Sequence, residues 1–190
     1  MIRDQRGFTL AEILVAAAVL SMMMAALLII QQQGQFAYIT GAARVETQQN
    51  ARWALDSLTG DLRSAQPTGT SVGMAIDAGC GTGPIPSGGG ASTITFTIPD
   101  DPNPPKPVQY GLVGTNLVRT IDGTPTTITP GVEDFRLWCL DTNGDLTATA
   151  GSVRSLHVRI RTRSEQATAG AGPHNQHATL DAQIRLRNLL

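Results

Sequence analysis

Few residues of this chain are of a type that does chemistry, and the first of them stands in an unexpected place. From Phe8 to Ile30 the sequence reads FTLAEILVAAAVLSMMMAALLII, and Glu12 is its only charge. Placing a carboxylate at the centre of a helix in hydrocarbon costs about 2.5–3.5 kcal/mol. An ionisable group kept in such a run therefore calls for a function and a named partner. The partner expected here belongs to another molecule.

The remaining candidates are weaker. Cys80 and Cys139 are the two cysteines; in an exported domain they are expected to form a disulfide, with two buried thiols as the alternative. Closing a loop of about 60 residues contributes roughly 4 kcal/mol on the chain-entropy account. The segment DTNGD sets Asp141, Asn143 and Asp145 at alternate positions, as calcium loops do. The calcium pattern wants glycine at its sixth position and glutamate at its twelfth. Leu146 and Ser152 stand there instead. Asn143-Gly144 is a strong hairpin turn in its own right, so a turn is the preferred reading and calcium the lesser one. His174 and His177 fall in AGAGPHNQH, read as a loop with no cysteine nearby. They are not taken as a metal pair. No nucleophile elbow, phosphate-binding loop or carboxylate pair stands out, so neither enzymatic activity nor a cofactor is expected.

The elements that hold these residues differ sharply along the chain. Its 190 residues suit one modest domain with an appendage, and the net charge of −1 excludes no partner by itself. Residues 67–150 hold eight acids against Lys106, Arg119 and Arg136, whereas residues 151–190 hold six arginines against Glu165 and Asp181. The apolar run has no glycine or proline and is rich in Ala, Leu and Met, which favours an unbroken helix. At 1.5 Å per residue it spans roughly 34 Å, enough for a hydrocarbon core of about 30 Å. Arg3 and Arg6 precede it, so the positive-inside tendency keeps the leader cytoplasmic and exports the rest. A secretory signal peptide has a shorter apolar region and a small-residue cleavage site; QQQGQF is a poor one.

The stretch RGFTLAEILVA resembles the type IV prepilin signal, in which a peptidase cuts after the glycine. That resemblance implies cleavage between Gly7 and Phe8, N-methylation of Phe8, and Glu12 as the fifth mature residue. It further implies that Glu12 meets the terminal amine of a neighbouring subunit during assembly. Two charges stranded in a dry environment relieve each other's desolvation by pairing.

Beyond Gly34 the sequence turns polar but stays helix-compatible to Gln66. Ala51, Leu55, Leu58, Leu62 and Ala65 form an apolar stripe, and Pro67 stops the helix. One helix from Phe8 to Gln66 is about 88 Å long, with Gly34 and Gly41 as expected bending points. Residues 48–66, QQNARWALDSLTGDLRSAQ, resemble the corresponding stretch of PilW-like minor pilins at Asn50, Ala51, Arg52, Ala54, Leu55, Leu58, Asp61, Leu62 and Arg63. VEDFRLWCLDTNGD and IRLRNLL extend the likeness.

The head, residues 67–190, reads as β-rich. Ile94, Phe96 and Ile98 alternate with threonines, and a hairpin turns near Gly114–Asn116. Phe135, Leu137 and Cys139 oppose Arg136, Trp138 and Leu140. Leu156, Val158 and Ile160 oppose His157, Arg159, Arg161 and Arg163; Leu180, Ala182, Ile184 and Leu186 oppose Asp181, Gln183, Arg185 and Arg187. The expected fold is α+β and pilin-like: a long helix, transmembrane above and amphipathic below, on one antiparallel sheet of at least six strands. Its divisions are a cytoplasmic leader 1–7, a span 8–30, an amphipathic continuation 31–66 and a periplasmic head 67–190.

The resemblance implies a minor type IV pilin, a structural subunit that initiates or caps pilus assembly. Its implied partners are other major and minor pilins, the prepilin peptidase and methyltransferase, the inner-membrane assembly platform and the membrane. Nucleic acid is not expected on the arginine face. A J-like pseudopilin of a type II secretion system shares the same helix plan. From another class, the sequence also suits a single-span periplasmic ligand-binding protein.

Overall fold

The structure is a computed structural model that describes residues 7–65, 83–85, 89–100, 102–167 and 172–186. One helix, α1 (Leu10–Ser64), runs the length of the stem without a break. Seven strands follow: β1 (Thr93–Asp100), β2 (Asn103–Val113), β3 (Asn116–Ile121), β4 (Thr124–Thr129), β5 (Val132–Leu140), β6 (Ser155–Arg163) and β7 (His177–Arg185).

The two halves of α1 owe their stability to different things. Residues 10–37 are exposed on every face, and this half carries the window apolar enough to cross a membrane. Lower down, Ala43, Thr47, Ala51, Ala54, Leu58 and Leu62 are buried at spacings of three and four, the signature of one helix face on a core. The helix closes at Ser64, where the Ala65 N–H donates to the Leu62 carbonyl at 3.3 Å. Leu55, expected in the stripe, is only half-buried, and Ala54 takes the central place. A small residue there lets the helix sit close to the strands.

The strands form two antiparallel sheets where one was expected. Sheet order is β1-β2-β3-β4 in the first and β5-β6-β7 in the second. The break comes at Pro130-Gly131. Gly131 has φ of +70°, and a Cβ there would lie 2.5 Å from the Arg163 carbonyl oxygen. Only glycine tolerates both the left-handed backbone and that approach. Its carbonyl accepts from Arg163 N at 2.7 Å, so β5 starts a new sheet against β6. Two links join the sheets: Ala91 and Leu137 exchange main-chain bonds of 2.9 Å, and Val132 N donates to Thr115 O at 2.8 Å.

Both sheets turn apolar faces to α1. Ile94, Phe96, Val108, Tyr110 and Leu117 from the first meet Phe135, Leu137, Cys139, Leu156, Val158 and Ile160 from the second, with Leu58 and Leu62 of the helix between. The Phe96 and Tyr110 rings stack at 6.2 Å. A polar clamp fastens the helix to the first sheet. Asp61 accepts from Tyr110 Oη at 2.6 Å and from Arg119 Nη2 at 2.8 Å. Burial, with Asp61 beside it, pushes the Tyr110 hydroxyl far above the ordinary tyrosine range. It stays protonated and keeps donating.

Trp138 and Leu140 depart from the expected alternation. Both are buried on the outer side of β5: the chain before β1 crosses over Trp138, and Leu140 forms an isolated bridge with Leu146 of the following turn. Gly90 lies so close that a Cβ would meet the Arg136 Cβ at 2.8 Å and the indole at 2.9 Å. The Trp138 ring also meets His157 edge-on at 5.6 Å.

Candidate assembly site at the head of the helix

The helix opens with a capping box, T-x-x-E, at Thr9 and Glu12. Thr9 sits at the N-cap with extended backbone (φ −78°, ψ 151°). Its Oγ1 accepts from Glu12 N at 3.3 Å. Glu12 Oε2 in turn accepts from Thr9 N and from Thr9 Oγ1, each at 2.9 Å. Two of the main-chain donors that a helix start leaves orphaned are thereby satisfied. Thr9 is thus a site residue missed at the sequence level, although a Thr followed three residues later by Glu is a recognised start signal.

The box uses only one oxygen of Glu12. Oε1 takes no hydrogen bond among the described residues. Phe8, one helical turn earlier, lies on the same side, and the two residues border a shallow apolar groove of about 470 Å³ with Ile13, Ala16, Ala17 and Leu20. The arrangement is a carboxylate held by its own helix cap through one oxygen, with an apolar trough beside it. It suits capture of a cation presented by a similar helix. Gly7, at the junction, has nothing within 4 Å of the position a Cβ would take.

The other sequence candidates fall elsewhere. Cys139 is buried on β5 facing the core; Cys80 lies outside the described residues, as do residues 1–6, Pro67 and Arg187. Asp141 Oδ1 accepts from Asn143 N at 2.8 Å and from Asp145 N at 3.0 Å, so this carboxylate closes a turn. Among the described residues no three His, Cys, Asp or Glu side chains converge in a way that would hold a metal. His177, read as part of a loop, instead opens β7. Its Nδ1 lies 3.1 Å from Glu133 Oε2, which Arg161 Nε also approaches at 3.2 Å. The arginine face is accordingly interleaved with acids: Asp134 meets Arg136 at 2.8 Å and Asp181 meets His157 at 3.4 Å.

An exposed apolar helix headed by this signal, continuing as a stem packed on antiparallel sheets, defines a type IV pilin-like architecture. Residues 2–28 match the prokaryotic N-terminal methylation motif. That motif supports a pilin-like or pseudopilin-like subunit carrying a prepilin signal, and with it a single-pass membrane anchor. No curated protein is similar enough to the chain to match it.

Proposed function

We propose that the chain is a minor, PilW-like type IV pilin, a structural subunit that initiates or caps a pilus. Prepilin peptidase cuts between Gly7 and Phe8, the new Phe8 amine is methylated, and the span stays in the inner membrane with the head in the periplasm. Assembly then pairs the Phe8 ammonium of one subunit with Glu12 of its neighbour. The observation that carries this reading is the placement of Phe8 and Glu12 together, with Glu12 Oε1 taking no hydrogen bond among the described residues, at the head of a helix whose residues 10–37 are exposed on all sides. The residues that resemble PilW-like pilins support the finer assignment, since they seat the stem. Ala51, Ala54, Leu58 and Leu62 are buried, Asp61 clamps the first sheet, and Asn50 Nδ2 reaches the Pro130 carbonyl at 3.5 Å. Cys80 and Cys139 are proposed to be bridged in the oxidising periplasm.

The test is recovery of the chain in sheared surface filaments, with mass spectrometry of its terminus. A terminus at methylated Phe8 is expected, as is failure of cutting when Gly7 is replaced by a bulky residue. Retention of Met1 in filament material overturns the reading. Lost protein secretion with intact pili, on deleting the gene, assigns the subunit to a pseudopilus instead. Thiol counting on unreduced, unfolded protein is expected to find none; two titratable thiols remove the bridge.

A further inference from the structure

We infer that the outer edge of β7 is a docking site for an extended acidic segment of another protein, which joins the second sheet as a fourth strand beneath α1. Such docking requires only the head and stem, whether or not the chain is a pilin.

A sheet edge presents unpaired N–H and C=O groups, and proteins blunt such edges with proline, bulges or covering chain. Three of the four edges here are blunted. β1 has Pro99 and a register break between Ile98 and Asp100; β4 has Pro125 and an irregularity opposite Leu117–Val118. β5 is covered by Ala91 and broken between Val132 and Asp134. β7 differs. It runs nine residues without proline, in unbroken register with β6, and is terminal in its sheet among the described residues.

The register identifies the groups on offer. Leu137 N and O both bond Ala91, on the side away from β6. Val158, opposite Leu137, must then turn its main-chain groups toward Ala182, its partner in β7. By alternation Thr179, Asp181 and Gln183 direct theirs outward, away from the sheet.

The helix overhangs this edge and supplies the specificity. Arg44, Gln48, Ala51 and Arg52 border a 300 Å³ cleft with His177–Leu180, and Leu55, Asp56, Thr59 and Arg63 border a 760 Å³ cleft with Ala182–Leu186. The two clefts lie end to end along one seam. Its floor is apolar but only half-covered, since Leu55, Ala178, Leu180 and Ala182 are all intermediate in exposure. Its rim is basic. Arg44 and Arg52 are exposed and make no ion pair among the described residues. They stand eight helical residues apart, about 12 Å. Carboxylates four residues apart on one face of a strand are about 13 Å apart. An added strand with acids at that spacing, and apolar residues between them, satisfies the edge, the floor and both arginines together. This is recognition by strand addition, in which main-chain bonds give affinity and alternate side chains give selectivity.

The experiment uses the full-length chain in detergent micelles. A synthetic nine-residue peptide alternates valine with threonine, with two inward glutamates four residues apart; a second peptide carries lysines there. Fluorescence anisotropy should find at least tenfold tighter binding of the glutamate peptide, lost when Arg44 and Arg52 are both changed to Glu. Thr179→Pro removes one outward N–H and spares the ladder to β6, as proline is tolerated at edges. It should weaken binding at least tenfold with an unchanged circular dichroism spectrum. Amide exchange at Thr179, Asp181 and Gln183 should slow on binding. Equal binding of both peptides, or no slowing at these amides, overturns the inference. Concentration-dependent slowing there without peptide makes a second copy the occupant and overturns it as well.

Discussion

The upper and lower halves of α1 share one continuous hydrogen-bonded backbone, yet they solve opposite problems. The lower half finds its partners inside the chain, and its small and leucine residues at three-and-four spacing make a single buried line. The upper half is apolar all round and has no partner among the described residues. A helix gains little from propensity alone and mostly depends on packing. The contrast therefore separates what this protein does alone from what it does in company. Folding is decided below Tyr38, and association above it.

The most severe way to break this division is Glu12→Ala. If Glu12 pairs with a neighbour's amine as proposed, removing the carboxylate leaves that amine unpaired in a dry environment, at a cost of about 3–5 kcal/mol. Membrane levels should stay normal and recovery in filaments should fall more than a hundredfold, measured by immunoblot of membrane and sheared fractions. Wild-type recovery would reduce Glu12 to a peptidase recognition feature.

Leu58→Ala attacks the lower half instead. Leu58 is fully buried between the two sheets, so the head should lose about 2–5 kcal/mol. Urea unfolding of the head followed by tryptophan fluorescence checks this, and membrane insertion should be untouched.

Tyr110→Phe tests the clamp. Losing a hydrogen bond to a charged acceptor costs about 1.5–3 kcal/mol. The pH sign also follows. Tyr110 is raised on folding by burial and by Asp61, so its contribution is complete below the unfolded tyrosine value of about 10 and is lost as pH climbs beyond it. Wild type should therefore lose stability between about pH 10 and 11 more steeply than Tyr110→Phe does, as read from urea midpoints at both values.

The smallest effect sharpens the first. Thr9→Ala removes the cap but keeps the carboxylate, and should cost about 1 kcal/mol of local helix stability. Filament recovery should fall only severalfold. A loss as deep as that of Glu12→Ala would make capping, rather than charge, the role of the acid.

What could be read in the sequence follows the same division. The apolar helix was legible from its unbroken apolar length, and the stem and the strands with clean alternation because burial there is periodic: Leu156, Val158 and Ile160 are buried, and the hairpin turns at Gly114-Thr115. Elements without that period were not. β4 is TPTTIT, mostly exposed, with only Ile128 and Thr129 turned inward. The first part of β2 carries Pro104, Pro105 and Pro107, residue types that oppose a strand. Asn103, Lys106 and Pro107 pair with β1, and on the other side only the Pro107 carbonyl is engaged among the described residues, by Asp122 N at 3.2 Å, so the missing N–H groups interrupt no second ladder. Trp138 was misassigned because its cover comes from residues far away in sequence, which no local pattern records. The Thr9–Glu12 box is legible as a T-x-x-E start signal, and it gives the one acid of the apolar run an ordinary role as a cap beside any other.

The unbroken course of α1 has a mechanical consequence. The head grips the helix from about Ala43 downward, which makes that seat a fulcrum and the exposed half a lever. From Tyr38 to Leu10 the overhang is about 42 Å. A 10° tilt at the fulcrum swings the far end by about 7 Å, more than enough to separate an ion pair. The aim of Phe8 and Glu12 is therefore governed by methyl groups at Ala51, Ala54 and Leu58, more than fifty ångströms away by this rise. Loosening the grip there should scatter the tip without altering a single residue near it.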